Sequence, residues 1–182
     1  MAFVILPAMG QGTLIIDQQS TSATGSVGTT NIFQSFTPSL SAINFVQIQA
    51  YNPNQEGQEL FYVNLLAGSP GGPVIGSTVP ISTPVNYVAG ALSTLFFSDA
   101  ITLIPGDTYY IQPEGQANYQ PLDFIYGDVP YAGGNMILDG GSFPESMTFS
   151  EGIIVPEPPV CALGALGALT ALIVRRKRTR KI

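Results

Sequence analysis

Short apolar runs alternate with turn clusters from about Gly12 to Ile154. Runs at residues 13–18, 32–37, 43–51, 60–66, 74–79, 93–103, 108–112, 122–126, 135–138 and 147–154 have the length and the branched and aromatic content of β-strands. Period-two alternation sets Phe61, Val63 and Leu65 against Tyr62 and Asn64, and Tyr109 and Ile111 against Tyr110 and Gln112. The breaks carry turn chemistry: Asn52-Pro53-Asn54, Ser69-Pro70-Gly71-Gly72-Pro73, Pro105-Gly106-Asp107, Ala132-Gly133-Gly134 and Asp139-Gly140-Gly141. No helical stripe of comparable length precedes residue 159. About ten short strands joined this way predict an all-β domain over residues 11–154, an antiparallel two-sheet β-sandwich of jelly-roll-like kind. The Ser/Thr/Gly-rich stretch at 20–30 reads as a flexible connection, with no repeat that would build the flat Thr array of an ice-binding face.

Composition agrees with this pattern, since 20 Gly and 15 Pro supply the turns while only 10% of residues are charged. The charge is segregated. All six Lys and Arg lie between Arg175 and Lys181, so the acidic body before them holds all 12 Asp and Glu and no base. A body without Lys or Arg has nothing with which to neutralise phosphates, which excludes nucleic acid as its partner and adhesion of the body to anionic lipid.

From Pro159 to Val174 the chain carries no charge, and the basic cluster follows directly. As a helix, residues 159–174 would extend about 24 Å against a hydrocarbon core of about 30 Å. Snorkelling basic side chains and apolar neighbours such as Ile153 and Val155 would make up the difference. The expectation is one C-terminal transmembrane helix with its basic end cytoplasmic and the acidic body outside; a buried soluble helix is the alternative. At the other end, residues 1–10 carry an apolar stretch, Ala2 to Leu6, and small residues at Ala8 and Gly10. They read as a truncated signal-peptide-like segment, or else as a first strand.

Val155-Pro156-Glu157-Pro158, the short Leu/Ala/Gly-rich run and the Arg-rich terminus stand in that order. Together, residues 155–182 resemble the PEP-CTERM sorting signal, a tail also labelled an ice-binding-protein C-terminal domain. The resemblance implies processing by an exosortase, which recognises Val155, Pro156, Glu157 and Pro158 and cleaves near them, with Arg175, Arg176, Lys177 and Arg178 as the membrane stop signal. It implies a route through the inner membrane to the cell surface or extracellular matrix, typical of Gram-negative bacteria that make exopolysaccharide and biofilm matrix. The two prolines fit such a role, because they keep the backbone extended and open to an enzyme. The segments Gln34 to Ile48 and Leu103 to Pro113 resemble the β-sandwich bodies of PEP-CTERM proteins, which look like carbohydrate-binding modules. That second likeness implies exopolysaccharide or another glycan as partner.

The available chemistry is narrow. There is no His, and the one Cys, Cys161, lies in the apolar tail segment, so His-based triads, thiol nucleophiles outside the membrane and His/Cys metal clusters are excluded. A glycosidase would have to use two carboxylates, with Asp99, Asp107, Glu114, Asp123, Asp128 and Asp139 available. Most of these stand beside Gly or Pro at strand ends, where turn geometry alone favours Asp. Asp128, Asp139 and Glu145 could offer oxygen ligands to calcium, but turn capping accounts for them equally, and no metal or cofactor is expected. Sugar binding would use aromatic faces, for which Tyr51, Tyr62, Tyr110, Tyr119, Tyr126 and Tyr131 sit on expected outward faces or loops; for each, packing is the plainer role. The expected function is therefore an exported, non-enzymatic surface or matrix protein with a glycan-binding sandwich. The alternatives are a secreted carbohydrate-active enzyme and a permanently membrane-anchored surface protein.

Overall fold

The computed structural model describes residues 12–29, 31–53, 60–116 and 122–156. Among them the regular structure is all strand, without a helix, and the sheets are antiparallel. The predicted helix at 159–174, Glu157, Pro158, the basic tail at 175–182 and the segment at 1–10 lie outside the described residues.

Chain contacts divide the molecule into two compact units, Ile15–Ile153 and Met1–Leu14 together with Ile154–Ile182. Residues 12–14 and 154–156 are the described part of the second. There Gly12 leaves no room for a side chain, since a Cβ would stand 2.3 Å from Ile154 Cγ2. The core and cleft described below belong to the first unit.

The first sheet orders β1 (Thr13–Ser20), β15 (Phe149–Val155), β4 (Ala42–Ile48) and β9 (Ser93–Thr102) side by side. A second runs β13 (Gly141–Phe143), β12 (Met136–Leu138), β3 (Ile32–Phe36), β10 (Tyr109–Gly115), β6 (Leu60–Ala67) and β7 (Val74–Ser77), with β8 (Ile81–Ser82) also on β6. The third joins β14 (Ser146–Met147), β11 (Leu122–Gly127) and β2 (Gly25–Thr29), with β5 (Ala50–Tyr51) also on β11. Their inner faces meet in one apolar cluster. Ile43, Val46, Ile48, Leu95 and Phe149 come from the first sheet, Phe36, Phe61, Val63, Leu65 and Ile111 from the second, and Leu122, Phe124 and Met147 from the third. Each large side chain buried in this way contributes about 1.5–3 kcal/mol, which gives a β-sandwich-like body its stability without a disulfide.

Strand β10 shows how the sequence pattern becomes structure. Tyr109, Ile111 and Pro113 are buried while Tyr110, Gln112 and Glu114 are half-buried, matching the alternation expected of one face on a core. Pro113 is tolerated opposite Val63 because both backbone groups of Val63 bond to Thr78, so this is the widely bonded type of pair in which a Pro113 N–H would point away from β6. On that outer side the register of β10 with β3 has already ended at Ile111.

Four departures from the sequence pattern have local causes. The stretch at 20–30, read as a flexible connection, contains β2, which pairs through five residues with β11. Its glycines are what fit it there: a Cβ on Gly25 would stand 2.8 Å from the Tyr126 ring, and one on Gly28 would stand 2.8 Å from Asp123 Oδ1. The run at 43–51 is two strands, β4 and β5, because the chain changes sheet at Gln49. The run at 147–154 likewise divides into β14 and β15 at Thr148. These two crossings lie together, with Gln49 N donating to Thr148 O (3.1 Å), Ile125 N to Gln49 O (3.0 Å) and Thr148 N to Ile125 O (2.8 Å). They make a corner where two strands switch sheets in step. Finally, the sequence pattern predicts no strand at Gly141–Phe143, yet β13 forms there, because the turn at Asp139-Gly140, where both residues have positive φ (50° and 83°), folds it back on β12 with Leu138 paired to Gly141.

Candidate functional site

The corner at Gln49 delivers Tyr51 to the outer face of the third sheet. Alternation along β11 sends Leu122 and Phe124 into the core and Asp123 to the opposite face, where it pairs in register with Tyr51. Asp123 also pairs with Gly28, whose missing side chain leaves space for the carboxylate. Two hydroxyls converge on Asp123 Oδ2: Tyr51 Oη donates at 2.8 Å and Ser26 Oγ at 3.3 Å. The carboxylate accepting from the Tyr51 phenol favours its neutral form and raises its pKa, with Ser26 acting the other way and slight burial adding to the rise.

The second aromatic comes from the loop between β8 and β9. Tyr87 is 49% exposed, and its ring stands 5.6 Å from that of Tyr51 at an interplanar angle of 59°. The loop carrying it is tied to the corner at two points, Asn52 N to Pro84 O (2.8 Å) and Gln49 Nε2 to Val88 O (2.9 Å). A turn from Ala91 N to Val88 O closes it, and buried Thr83 roots its start. Tyr87 is thus a surface residue in a fixed place.

The Tyr pair separates two adjoining depressions. One, of about 230 Å³, is lined by Ala23, Thr24, Gly25, Ser26, Ile125 and the two tyrosines. The other, of about 30 Å³, lies between the tyrosines and Gln49, Pro84, Asn86 and Val88. Two tilted aromatic faces with hydroxyls and amides around them, and the Asp123 carboxylate bonded to Tyr51 and Ser26 of that lining, make a cleft that could stack on a ring and hydrogen-bond its substituents. Among the described residues no Asp or Glu lines either depression; Asp123 is tied to the larger one through its hydrogen bonds with Tyr51 and Ser26.

The remaining residues marked from the sequence are scattered. Asp99 is exposed on β9, and Glu114 on β10 accepts from Gln112 Nε2 at 2.6 Å. Asp107 closes a turn in which Pro105 precedes Gly106 (φ 89°), and its N–H donates to Ile104 O at 3.1 Å. Asp139 is a turn residue, Asp128 N–H donates to Thr24 Oγ1 at 3.1 Å, and Glu145 is half-buried. No cluster of three or more metal-ligating side chains occurs among the described residues. Tyr62 and Tyr110 are half-buried on β6 and β10, and Tyr126 packs against the core. Tyr119 lies outside the described residues. Tyr131 is a packing residue: its ring meets Phe149 edge-on at 5.3 Å and its hydroxyl donates to Gln18 Oε1 at 2.7 Å. Burial raises its pKa to about 12, against a backbone hydrogen bond at Thr37 and with help from the nearby Glu151 and Asp17 carboxyls. Val155 ends β15 and Pro156 follows it, both exposed; Glu157, Pro158, Arg175, Arg176, Lys177 and Arg178 lie outside the described residues.

Sequence reading singled out Tyr51 and Asp123 separately and missed Tyr87. The pairing of Tyr51 with Asp123 depends on a sheet corner, and the placing of Tyr87 on hydrogen bonds between segments distant in sequence. The residue sequence around Tyr87, Pro84-Val85-Asn86-Tyr87, offered only the signal of an aromatic in a turn-rich stretch. No family model matches the chain, and no curated protein sequence matches it significantly.

Proposed function

We propose that this chain is an exported, non-enzymatic surface or matrix protein whose sandwich, jelly-roll-like in its finer topology, binds glycan in the cleft at Tyr51 and Tyr87, whose lining is held by Asp123. The observation that carries the binding reading is the Tyr51–Tyr87 pair beside a carboxylate already gripped by two hydroxyls. Aromatic faces stack on the apolar C–H faces of sugar rings, and an ordered carboxylate accepts hydrogen bonds from ring hydroxyls. Binding is favoured over hydrolysis because a carboxylate-pair mechanism needs two acids about 5–9 Å apart facing the substrate, and no acid is among the described residues lining this cleft, Asp123 being tied to it through Tyr51 and Ser26.

Delivery follows the sorting-signal resemblance. Residues 159–174 would span the inner membrane transiently, Arg175, Arg176, Lys177 and Arg178 would hold the C-terminus in the cytoplasm, and an exosortase would act at Val155-Pro156-Glu157-Pro158. The position of the motif supports this reading: β15 ends at exposed Val155, and Pro156 has no N–H with which to continue the ladder. The test is the intact mass of the protein recovered from the host's surface and medium, compared with a variant in which Pro156, Glu157 and Pro158 are all alanine. A wild-type mass lacking the apolar and basic tail, with the variant retained at full length in the membrane, is expected. Full-length protein in the membrane in both cases would leave a permanent anchor instead.

A further inference from the structure

The cleft has a chemical selectivity that follows from what surrounds it. Resting on the glycan reading, we infer that it takes single chains of neutral polysaccharide and discriminates against anionic ones and against flat crystalline faces.

The first ground is charge. Residues 1–174 contain no Lys, Arg or His, so no side chain of the body can meet a uronate carboxylate or a sulfate ester with a positive partner. The charged group bonded to the cleft's lining is itself an acid, Asp123, held by Tyr51 and Ser26. An anionic sugar seated on the tyrosines would bring a like charge close to it, in the field of a body that carries every acid of the chain. Neutral hydroxyls meet no such opposition. They find Ser26, Thr24 and Asn86 in the surrounding wall, with the Asp123 carboxylate bonded to Tyr51 and Ser26.

The second ground is shape. Binding to a crystalline polysaccharide needs coplanar rings along a flat strip, whereas the Tyr51 and Tyr87 planes are inclined at 59° with centroids only 5.6 Å apart. One ring forms a floor and the other a wall. The larger depression, about 230 Å³, is smaller than the roughly 300 Å³ at the low end of drug-sized pockets. It is suited to one sugar unit, with the chain continuing into solvent on either side.

The experiment is retardation of the full-length chain, held in a zwitterionic detergent without a sugar headgroup, in native gels containing soluble polysaccharides at low salt. Neutral probes are α- and β-linked glucans, a galactomannan and a xyloglucan; anionic probes are alginate, polygalacturonate and hyaluronan. Sedimentation with crystalline cellulose is run beside them. At least one neutral polymer should bind, with the affinity falling tenfold or more in Tyr87→Ala, whose exposed side chain is not part of the core. Anionic polymers and cellulose should leave the protein unshifted. Tyr87-dependent binding to an anionic polymer or to cellulose would overturn the selectivity while leaving the glycan reading intact. Binding to none of the probes, or binding that survives Tyr87→Ala and Tyr51→Ala, would remove the glycan reading of this cleft and the selectivity with it.

Discussion

Glu151 on β15 and Asp17 on β1 are two carboxyl groups that feel each other's charge inside a body without a single base. Their environments push them apart. Glu151 is fully buried and neither carboxyl oxygen has a hydrogen-bond partner among the described residues, so burial first and Asp17 second raise its pKa to about 8. Burial also works against the Asp17 charge, but hydrogen bonds from the Leu40 N–H and from the Ser39 hydroxyl and N–H outweigh it and hold its pKa below the ordinary value. At neutral pH the pair is one protonated acid and one carboxylate.

Stability should therefore fall as pH rises across the interval between the ordinary Glu pKa, about 4.3, and about 8. In that window the native protein keeps the Glu151 proton while the unfolded chain has released it, so the unfolded state binds fewer protons. The loss is on the order of 3–5 kcal/mol at most. Asp17 acts in the opposite sense: its contribution is present above the unfolded Asp pKa and is lost as pH falls through its lowered native value. Glu151→Gln should flatten the alkaline limb in urea titrations at pH 5, 7 and 9. An unchanged slope would mean that Glu151 is charged in the native state.

Tyr51 should titrate abnormally because of Asp123. Replacing the carboxylate by an amide, Asp123→Asn, removes the charge that stabilises the neutral phenol and lowers the Tyr51 pKa toward its usual value. Ring-labelled tyrosine NMR across pH 8–12 reads this directly, and a Tyr51 resonance that titrates identically in both proteins would contradict the 2.8 Å hydrogen bond.

Gln49, in the wall of the smaller depression, is expected to matter for binding through the loop it holds. Its side-chain amide holds the Tyr87 loop through Val88 O, so Gln49→Met should loosen the loop, lower stability by about 1 kcal/mol and weaken polysaccharide binding severalfold. Backbone hydrogen exchange of residues 85–91 would report the loosening. Unchanged protection with binding lost would point to a direct contact instead.

Gly152 should be irreplaceable. An added Cβ would stand 2.0 Å from the carbonyl oxygen of Ile15 on the neighbouring strand, an atom that cannot move without breaking the β1–β15 pairing. Gly152→Ala should cost about 2 kcal/mol or more, measured as a lower urea midpoint. By contrast Gly71→Ala, where a Cβ meets nothing within 4 Å, should stay within about 0.5 kcal/mol of the parent.

What the sequence determined by itself is what depends on nearest neighbours along the chain. Period two placed Phe61, Val63 and Leu65 in the core, and the turn chemistry of Pro105-Gly106 and Asp139-Gly140 ended strands where they end. The absence of any base before Arg175 set the charge of the body, whatever its fold. Tertiary structure decided the rest, because its causes join residues far apart. Glycines that looked like a flexible link became β2 once Tyr126 and Asp123 lay across Gly25 and Gly28. Two apolar runs were cut at Gln49 and Thr148 by a corner that needs both strands at once. The same corner brought Tyr51, Asp123 and Tyr87 together and left Glu151 buried with Asp17 for company. A side chain's face follows from its neighbours in sequence, but its partner follows from which strands the core draws together.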